Sequence, residues 1–293
     1  MRVDLRSLGL LAVGVCAVSL AAPLMAHLLV PALAIACWRN AFATGVLVPV
    51  AVARRRAEIA GLTAGQVAAV GAAGLCLAAH FGLWISSLRM TSVASSTAIV
   101  SLQVIWVVAW DLVRGRSVPH RVLAGVAVAT AGAIVVSGVD LRVSGRAFAG
   151  DALALGGSIA IAAYTVIGGR VRQRVSTTTY TAGAYGVAAM ALLVAAVVAG
   201  QRLGGYPAVQ WTGLVVLTAT AQLLGHSVFN HLLATVTPTV VSLALLLEIP
   251  GAALIAAAWL GQVPDLATVV GILLILGGMA AVVLSERPPT PPA

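Results

Sequence analysis

The chain has 293 residues, of which 61% are hydrophobic and only 9% are charged. Soluble domains carry charge on about a quarter of their residues, so this composition excludes a soluble globular protein and predicts a membrane protein. The net charge of +9 comes from 17 basic residues, all of them arginine. They stand singly or in short clusters between apolar stretches, which is typical of membrane-flanking loops and argues against a nucleic-acid partner.

Ten stretches of the chain are long and apolar enough to cross a bilayer, which takes about 20 mostly apolar residues per helix. Arginine clusters, prolines and polar turns separate them. In chain order they cover residues 8–28, 31–53, 65–88, 93–113, 121–139, 150–169, 178–199, 209–231, 238–260 and 266–285. The sequence therefore predicts an all-α integral membrane protein with ten transmembrane helices.

The distribution of arginine predicts the orientation. An even number of crossings places both termini on one side of the membrane. With the termini inside, twelve of the 17 arginines fall in inner segments, four fall in outer loops, and Arg39 lies within a span. The positive-inside rule therefore favours a multi-pass protein of the cytoplasmic (inner) membrane with both termini in the cytoplasm. The proline-rich tail, residues 286–293, is predicted to be disordered.

An internal repeat becomes visible when the sequence is shifted against itself by 146 residues. The shift predicts two repeats, 1–145 with helices 1–5 and 146–285 with helices 6–10, and five crossings per repeat make the two halves inverted. Such an architecture places a substrate site between the halves near the bilayer midplane. The positions that coincide are His80 with His226, Thr91 with Thr237, Ser96 with Ser242, Gly115 with Gly261, Gly125 with Gly271, and Gly132 with Gly278.

Several segments carry a resemblance to a known family. They are Phe81–Ala98 at the junction of the third and fourth helices, the loops Gly115–Gly125 and Gly261–Gly271, Leu247-Glu248-Ile249-Pro250, and Arg39 in the second helix. In these segments the chain resembles the drug/metabolite transporter superfamily, specifically its ten-helix EamA branch, over roughly residues 8–285. The resemblance implies two EamA-like repeats and a protein that exports or exchanges small metabolites, often amino acids or related compounds.

The chain departs from the family pattern at three places. The family commonly has Gly-Glu before the last helix of a repeat, whereas this chain has Gly115-Arg116 and Gly261-Gln262. The first repeat also has Val104 where the second has Pro250. These differences bear on the subfamily and not on the fold.

Glu248 and Arg39 are charged residues that lie well inside predicted spans, where charge is costly and usually functional, whereas Asp111 and Asp151 lie at span ends. Glu248 is predicted either to couple protons or bind a substrate amine, or to be the structural partner of a buried arginine. Arg39 is the obvious partner for it. Alternatively, Arg39 binds a substrate carboxylate through its planar guanidinium, or extends to the membrane surface.

Polar side chains in the third and eighth spans predict a cavity. Gln222, His226 and Asn230 follow each other at intervals of four, which places them on one face of an α-helix. His80 and Trp84 form a matching stripe in the third span. The alternative is that these groups only join helices by hydrogen bonds. The further candidates for the cavity are Gln103 in the fourth span and Tyr164 in the sixth.

The sequence favours a secondary transporter over the other classes of membrane protein. It contains no G-x-x-x-x-G-K-[ST] loop for ATP and no cluster of catalytic or metal-ligating residues, so we predict neither an enzyme nor a cofactor. The expected partners are a small-molecule substrate and the lipid bilayer, and a homodimer is left open. The leading function is alternating-access export of amino acids or related metabolites, proton-coupled or facilitative. The alternatives are multidrug or cationic-compound efflux by the same fold, and a non-transporting scaffold subunit.

Overall fold

The computed structural model describes residues 5–138, 144–263 and 265–285, and all regular secondary structure within them is helical. We number the helices so that those interrupted by a short turn keep one label. Helices α1 to α5 cover Leu5–His27, Ala32–Ala60, Ala64–Ser87, Val93–Val113 and His120–Gly138. Helices α6 to α10 cover Gly145–Val171, Thr177–Val198, Ala208–Leu232, Pro238–Leu260 and Leu266–Ser285. The tail 286–293, which was predicted to be disordered, lies outside the described residues.

Eight helices in the described part of the chain are long and apolar enough to cross a membrane: α1 to α4 and α6 to α9. Helices α5 and α10 contain shorter apolar stretches, His120–Val135 and Val269–Gly278. The prediction of an all-α, multi-pass membrane protein is therefore confirmed. The longest difference from the predicted spans is in α2, which continues through three arginines to Ala60 with a kink at Arg55. Arginine is a good helix former, so a helix need not end where charge begins.

Hydroxyl side chains fix where many of the helices begin. In each case the Ser or Thr oxygen accepts a hydrogen bond from the backbone N–H three residues later, satisfying a donor that the first turn leaves unpaired. At Thr63 the side-chain oxygen of Gln66 also accepts a hydrogen bond from the backbone N–H of Thr63, which completes a capping box. The residues that cap in this way are Thr63, Ser92, Ser144, Ser176 and Thr237.

The helices pack in reciprocal pairs across the two halves of the chain. Helix α3 packs on α6, and in the reciprocal pair α8 packs on α1. The other three pairs are α2 with α7, α4 with α9, and α5 with α10. Each pair thus joins one helix from the first half to one from the second. The most extensive of these contacts is between α5 and α10, the two helices with the shorter apolar stretches.

Two glycine pairs allow α5 and α10 to approach closely. A Cβ added at Gly132 would lie 2.5 Å from the carbonyl oxygen of Gly271, and one added at Gly278 would lie 2.5 Å from that of Gly125. Real Cβ atoms do not approach oxygen so closely, so only glycine fits at Gly132 and Gly278. Small residues at such points let helix backbones touch, which is how helices associate in lipid.

Candidate functional site

Helices α4 and α9 are each broken near their middle. Helix α4 consists of Val93–Val100 and Gln103–Val113, and α9 consists of Pro238–Leu245 and Glu248–Leu260. At each break the backbone changes to hydrogen bonds between residues three apart, such as Leu102 to Ile99 and Leu247 to Ala244. Short stretches of this tighter helix within a longer one often mark functional hinges.

The break in α9 has a chemical cause that α4 lacks. Pro250 has no backbone N–H, so the carbonyl of Leu246 loses its usual partner four residues later. Val104 occupies the matching place in α4, and α4 breaks nonetheless. The first residues after the two breaks are Gln103 and Glu248, and both face the same cavity.

The cavity lies between α3, α4, α6, α8 and α9. Its volume is about 40 Å³, which is room for a few water molecules but far less than the several hundred Å³ of a typical metabolite site. The described conformation therefore leaves little free space in the cavity. Its lining combines titratable and amide groups with aromatic and aliphatic walls: His80, Trp84, Val100, Ser101, Gln103, Ile161, Tyr164, Thr165, His226, Phe229, Asn230, Leu233, Val241, Leu245 and Glu248.

Three polar atoms of the lining have no hydrogen-bond partner in the structure. They are Oε1 of Glu248, Oε1 of Gln103 and Nε1 of Trp84, all of them on side chains that are nearly fully buried. Buried polar atoms are normally paired, because leaving one unpaired costs about 1–3 kcal/mol. Two acceptors and one donor without partners thus belong to side chains that line a cavity large enough to admit water.

The two histidines predicted from the repeat both line this cavity. Nδ1 of His80 lies 3.1 Å from the carbonyl oxygen of Gly157 on α6, and because a carbonyl can only accept, Nδ1 carries the proton. The His80 ring stacks on Trp84 with centroids 5.4 Å apart. The ring of His226 stands 6.5 Å from that of His80. The pair therefore forms one side of the cavity.

A chain of hydrogen bonds runs from two polar side chains of the lining to α7. Tyr164 donates to Oδ1 of Asn230 at 2.9 Å, and Nδ2 of Asn230 donates to the hydroxyl of Tyr185 at 3.2 Å. Tyr185 in turn lies 3.4 Å from the hydroxyl of Ser227. This chain links α6, α7 and α8 and fixes the orientation of Asn230.

Arg39 and Gln222 lie outside the cavity lining, against expectation. Arg39 is completely buried and donates from Nε to Oε1 of Gln222 at 2.9 Å. Among the described residues no ion pair joins Arg39 to Glu248. The alternative of a direct ion pair between the two is therefore wrong, although their charges interact electrostatically. The alternative that Arg39 extends to the membrane surface is wrong as well. The amide of Gln222 holds the guanidinium instead.

A change of helix type separates Gln222 from His226. Residues Thr218–His226 of α8 form a π-helix, in which the N–H of Ser227 bonds to the carbonyl of Gln222 five residues earlier. The turn of a π-helix is wider, so residues four apart no longer lie on one face. The prediction that Gln222, His226 and Asn230 share one face is therefore wrong. His226 and Asn230 face the cavity, whereas Gln222 faces α2. Such π-helical turns are rare and occur frequently at functional sites.

Sequence reasoning missed two polar residues that complete this arrangement. Asn40 is completely buried beside Arg39 and accepts a hydrogen bond of 3.1 Å from Nε2 of Gln222. Thr165 lines the cavity one residue after Tyr164. Asn40 could have been found from composition, because the chain contains only two asparagines and both lie in spans.

Comparison with known proteins agrees with this architecture. Residues 148–284 match the model of the EamA-like transporter family. An uncharacterized transporter of Archaeoglobus fulgidus is 24% identical over 196 residues, which are 66% of this chain and 68% of that protein. A crystal structure of a protein with 18% sequence identity superposes with a TM-score of 0.73 and covers 95% of this chain and 98% of its own, which shows a shared fold. Over residues 148–284 the chain is therefore similar to the EamA-like transporter family, and this similarity, together with the transporter relative, supports a membrane transporter.

Proposed function

We propose that this protein is a secondary transporter that exports small amino-acid-like metabolites through the cavity at the breaks of α4 and α9. One observation carries the proposal: the cavity combines apolar walls with polar atoms of Gln103 and Glu248 that have no hydrogen-bond partner. Membrane transporters bind substrates near the midplane at interrupted helices, where irregular backbone is tolerated because it lines a cavity.

The proposed architecture is ten crossings in two inverted repeats, 1–145 and 146–285. The reciprocal helix pairs support it. When the two halves are exchanged, α3 corresponds to α8 and α6 to α1, so the contact between α3 and α6 corresponds to the contact between α8 and α1. The glycine contacts obey the same exchange, because a shift of 146 residues carries Gly132 to Gly278 and Gly125 to Gly271. In this arrangement α5 and α10 cross the membrane together as one closely packed pair.

The substrate class follows from what the lining can bind. Glu248 offers a carboxyl group to an amine, and Gln103 offers an amide oxygen. Ile161, Leu233 and Leu245 present an aliphatic surface of the kind that binds an apolar side chain. A small amino acid with an apolar side chain has this combination of groups.

Alternating access would have to widen the cavity, because about 40 Å³ cannot hold an amino acid. The breaks in α4 and α9 are suited to this, since each provides a flexible point beside the lining. Glu248 is the proposed site of proton coupling. The titratable groups that share its cavity are His80 on α3, Tyr164 on α6 and His226 on α8, and Arg39 on α2 interacts with it electrostatically. We place the protein in the cytoplasmic membrane with both termini inside, on the basis of its arginine distribution.

Efflux from proteoliposomes tests this function. Vesicles containing the purified protein are loaded with an equimolar mixture of the common amino acids, and the amino acids that leave are measured by mass spectrometry with and without an imposed pH gradient. We expect selective loss of apolar amino acids such as leucine, at a rate well above that of protein-free vesicles. Equal retention of every amino acid in both vesicle types would contradict the proposal.

A second candidate function is efflux of organic cations. One observation favours it, namely that a single carboxyl group and the aromatic ring of Trp84 share the cavity, a combination that attracts cations. The same vesicles loaded with a cationic dye distinguish the two functions. Dye efflux without amino-acid efflux identifies a cationic-compound exporter. If neither the dye nor any amino acid leaves the vesicles, and Glu248→Gln is as stable as wild type, a scaffold is favoured.

A further inference from the structure

The strongest unexplained feature of the molecule is the charge on Arg39. Its side chain is completely buried, Nη2 has no hydrogen-bond partner, and no acidic side chain among the described residues forms an ion pair with it. Glu248 interacts with this charge electrostatically but forms no ion pair with it, and a buried cation with no ion pair is costly and is retained where it has a function. Its other contacts are neutral: Gln222, the thioether sulfur of Met25 at 3.4 Å, and the ring of Phe81.

Two other arginines show how this chain satisfies a guanidinium that serves structure. Arg89 donates to the backbone carbonyls of Ala26, Leu28 and Val30, at 3.3, 2.7 and 2.8 Å. Arg172 donates to the carbonyls of Asn230 and Val175. Arg39 has no backbone carbonyl among its partners in the described structure, and its sulfur contact is a weak acceptor. Its guanidinium is held in orientation while part of its donor capacity stays unused.

Arg39 is separated from the cavity by a thin aromatic layer. The ring centroid of Phe81 lies 4.0 Å from Cζ of Arg39, and the Phe81 ring stands edge-on to His226 at 5.3 Å. His226 lines the cavity that also contains Glu248. One phenyl ring and one imidazole ring therefore stand between the guanidinium and the space in which the substrate is proposed to bind.

We infer that Arg39 is the carboxylate-binding residue of the transport site and that the Phe81–His226 layer covers it until the cavity widens. The inference rests on the proposed function and extends it to a zwitterionic substrate whose amine meets Glu248 and whose carboxylate meets Arg39. A guanidinium can bind a carboxylate through two parallel N–H bonds, and the unused Nη2 supplies one of them. Both buried groups that lack an ionic partner would then be neutralised by one molecule.

Three probes with a common apolar chain separate the two ends of such a substrate. Leucine has both charged groups, 3-methylbutylamine lacks the carboxylate, and 4-methylpentanoate lacks the amine. Binding is measured as thermal stabilisation of the detergent-solubilised protein, and transport as uptake of labelled leucine in competition with the other two. Wild-type protein is expected to bind leucine most tightly and both single-charge analogues more weakly.

Substitutions at the two charges should have opposite effects. Arg39→Gln should weaken binding of leucine and 4-methylpentanoate about tenfold or more while leaving 3-methylbutylamine unchanged, because only the carboxylate loses its partner. Glu248→Gln should give the reverse pattern. Arg39→Lys keeps the charge without the planar fork and should fall between Arg39→Gln and wild type.

The outcomes distinguish this inference from the function on which it rests. If wild-type protein transports leucine and Arg39→Gln weakens all three probes equally or none of them, the inference is overturned while the function stands. If wild-type protein neither binds nor transports leucine, the proposed function fails and the inference with it. Should Arg39→Gln fail to fold, Arg39→Lys provides the same comparison, and unchanged affinity for 4-methylpentanoate in that variant would overturn the inference.

Discussion

Arg39 donates a hydrogen bond of 2.9 Å to Gln222, so a neutral amide holds the one arginine that is completely buried in the described part of the chain. The same amide donates to Asn40 at 3.1 Å. Gln222 thus uses both its oxygen and its nitrogen to connect α8 to α2. A neutral partner orients the guanidinium without neutralising it, which leaves its charge available to an anion.

Replacing Gln222 by glutamate should separate stability from transport. The side chain keeps its shape and brings a carboxylate to Arg39, so an ion pair forms where the amide contact was. The folded protein should be about as stable to heat as wild type, because the ion pair offsets the hydrogen bond to Asn40 that a carboxylate cannot donate. Uptake of leucine should fall strongly because the guanidinium is already occupied. Thermal unfolding and proteoliposome uptake measure the two effects. Retained uptake would show that Arg39 does not meet the substrate.

The chemistry of the site could be predicted from the sequence because polar residues are conspicuous in apolar helices. Glu248, His80 and Asn230 stand out for that reason, and the structure brings them to one cavity. The starts of helices at Thr63 and Thr237 are equally predictable, because threonine side chains cap the first turn of a helix.

The partners of the buried groups could not be predicted, because they depend on tertiary geometry. Opposite charge suggested that Arg39 pairs with Glu248, but the aromatic layer of Phe81 and His226 lies beside the guanidinium instead. The π-helix in α8 has no local signature in its sequence, and it alone rotates Gln222 away from the cavity. The break of α4 between Val100 and Gln103 likewise occurs without proline.

Glu248→Gln should uncouple transport from the proton gradient. The amide has nearly the same shape as the carboxyl group but cannot gain or lose a proton, so leucine uptake driven by a pH gradient should disappear. Thermal stability should change little, since no ion pair within the described structure is lost. Glu58→Gln removes a carboxylate at the end of α2, away from the cavity, and serves as the matched control. Equal gradient-driven uptake in wild type and Glu248→Gln would refute the coupling role.

The close approach of α5 and α10 predicts a large difference between two neighbouring glycines. In Gly278→Ala the new methyl group would meet the backbone of Gly125 and Ala129, so the helices must separate. Overpacking of this kind costs about 1–3 kcal/mol. Gly277→Ala is the control on the same helix, because nothing lies within 4 Å of the added Cβ. Thermal unfolding in detergent should show a lower midpoint for Gly278→Ala alone, and equal midpoints would show that the two helices do not pack tightly at this point in solution.

Arg172 is expected to be a structural residue. It is buried and donates to the carbonyls of Asn230 and Val175, so Arg172→Gln leaves carbonyl groups unpaired at a cost of about 1–3 kcal/mol. Arg174→Gln removes the same charge two residues further along, where the side chain is exposed, and should have little effect. The comparison is made by thermal unfolding of the two variants. An equal loss of stability in both variants would mean that the loss of a positive charge near the membrane causes it, and not the loss of the carbonyl contacts.

The proposed orientation can be tested by labelling single cysteines in intact cells. After Cys16, Cys37 and Cys76 are replaced by alanine, one cysteine is introduced at an exposed position, in Arg55→Cys or in Arg202→Cys. Arg55 lies near the end of α2 and Arg202 in the connection between α7 and α8. With both termini inside, the first position is cytoplasmic and the second external, since the positive-inside rule places the arginine-rich ends in the cytoplasm. A membrane-impermeant maleimide should therefore label Arg202→Cys in intact cells and Arg55→Cys only after the cells are permeabilised. The opposite pattern would invert the topology, and labelling of both in intact cells would contradict the odd number of crossings that the ten-helix arrangement requires between them.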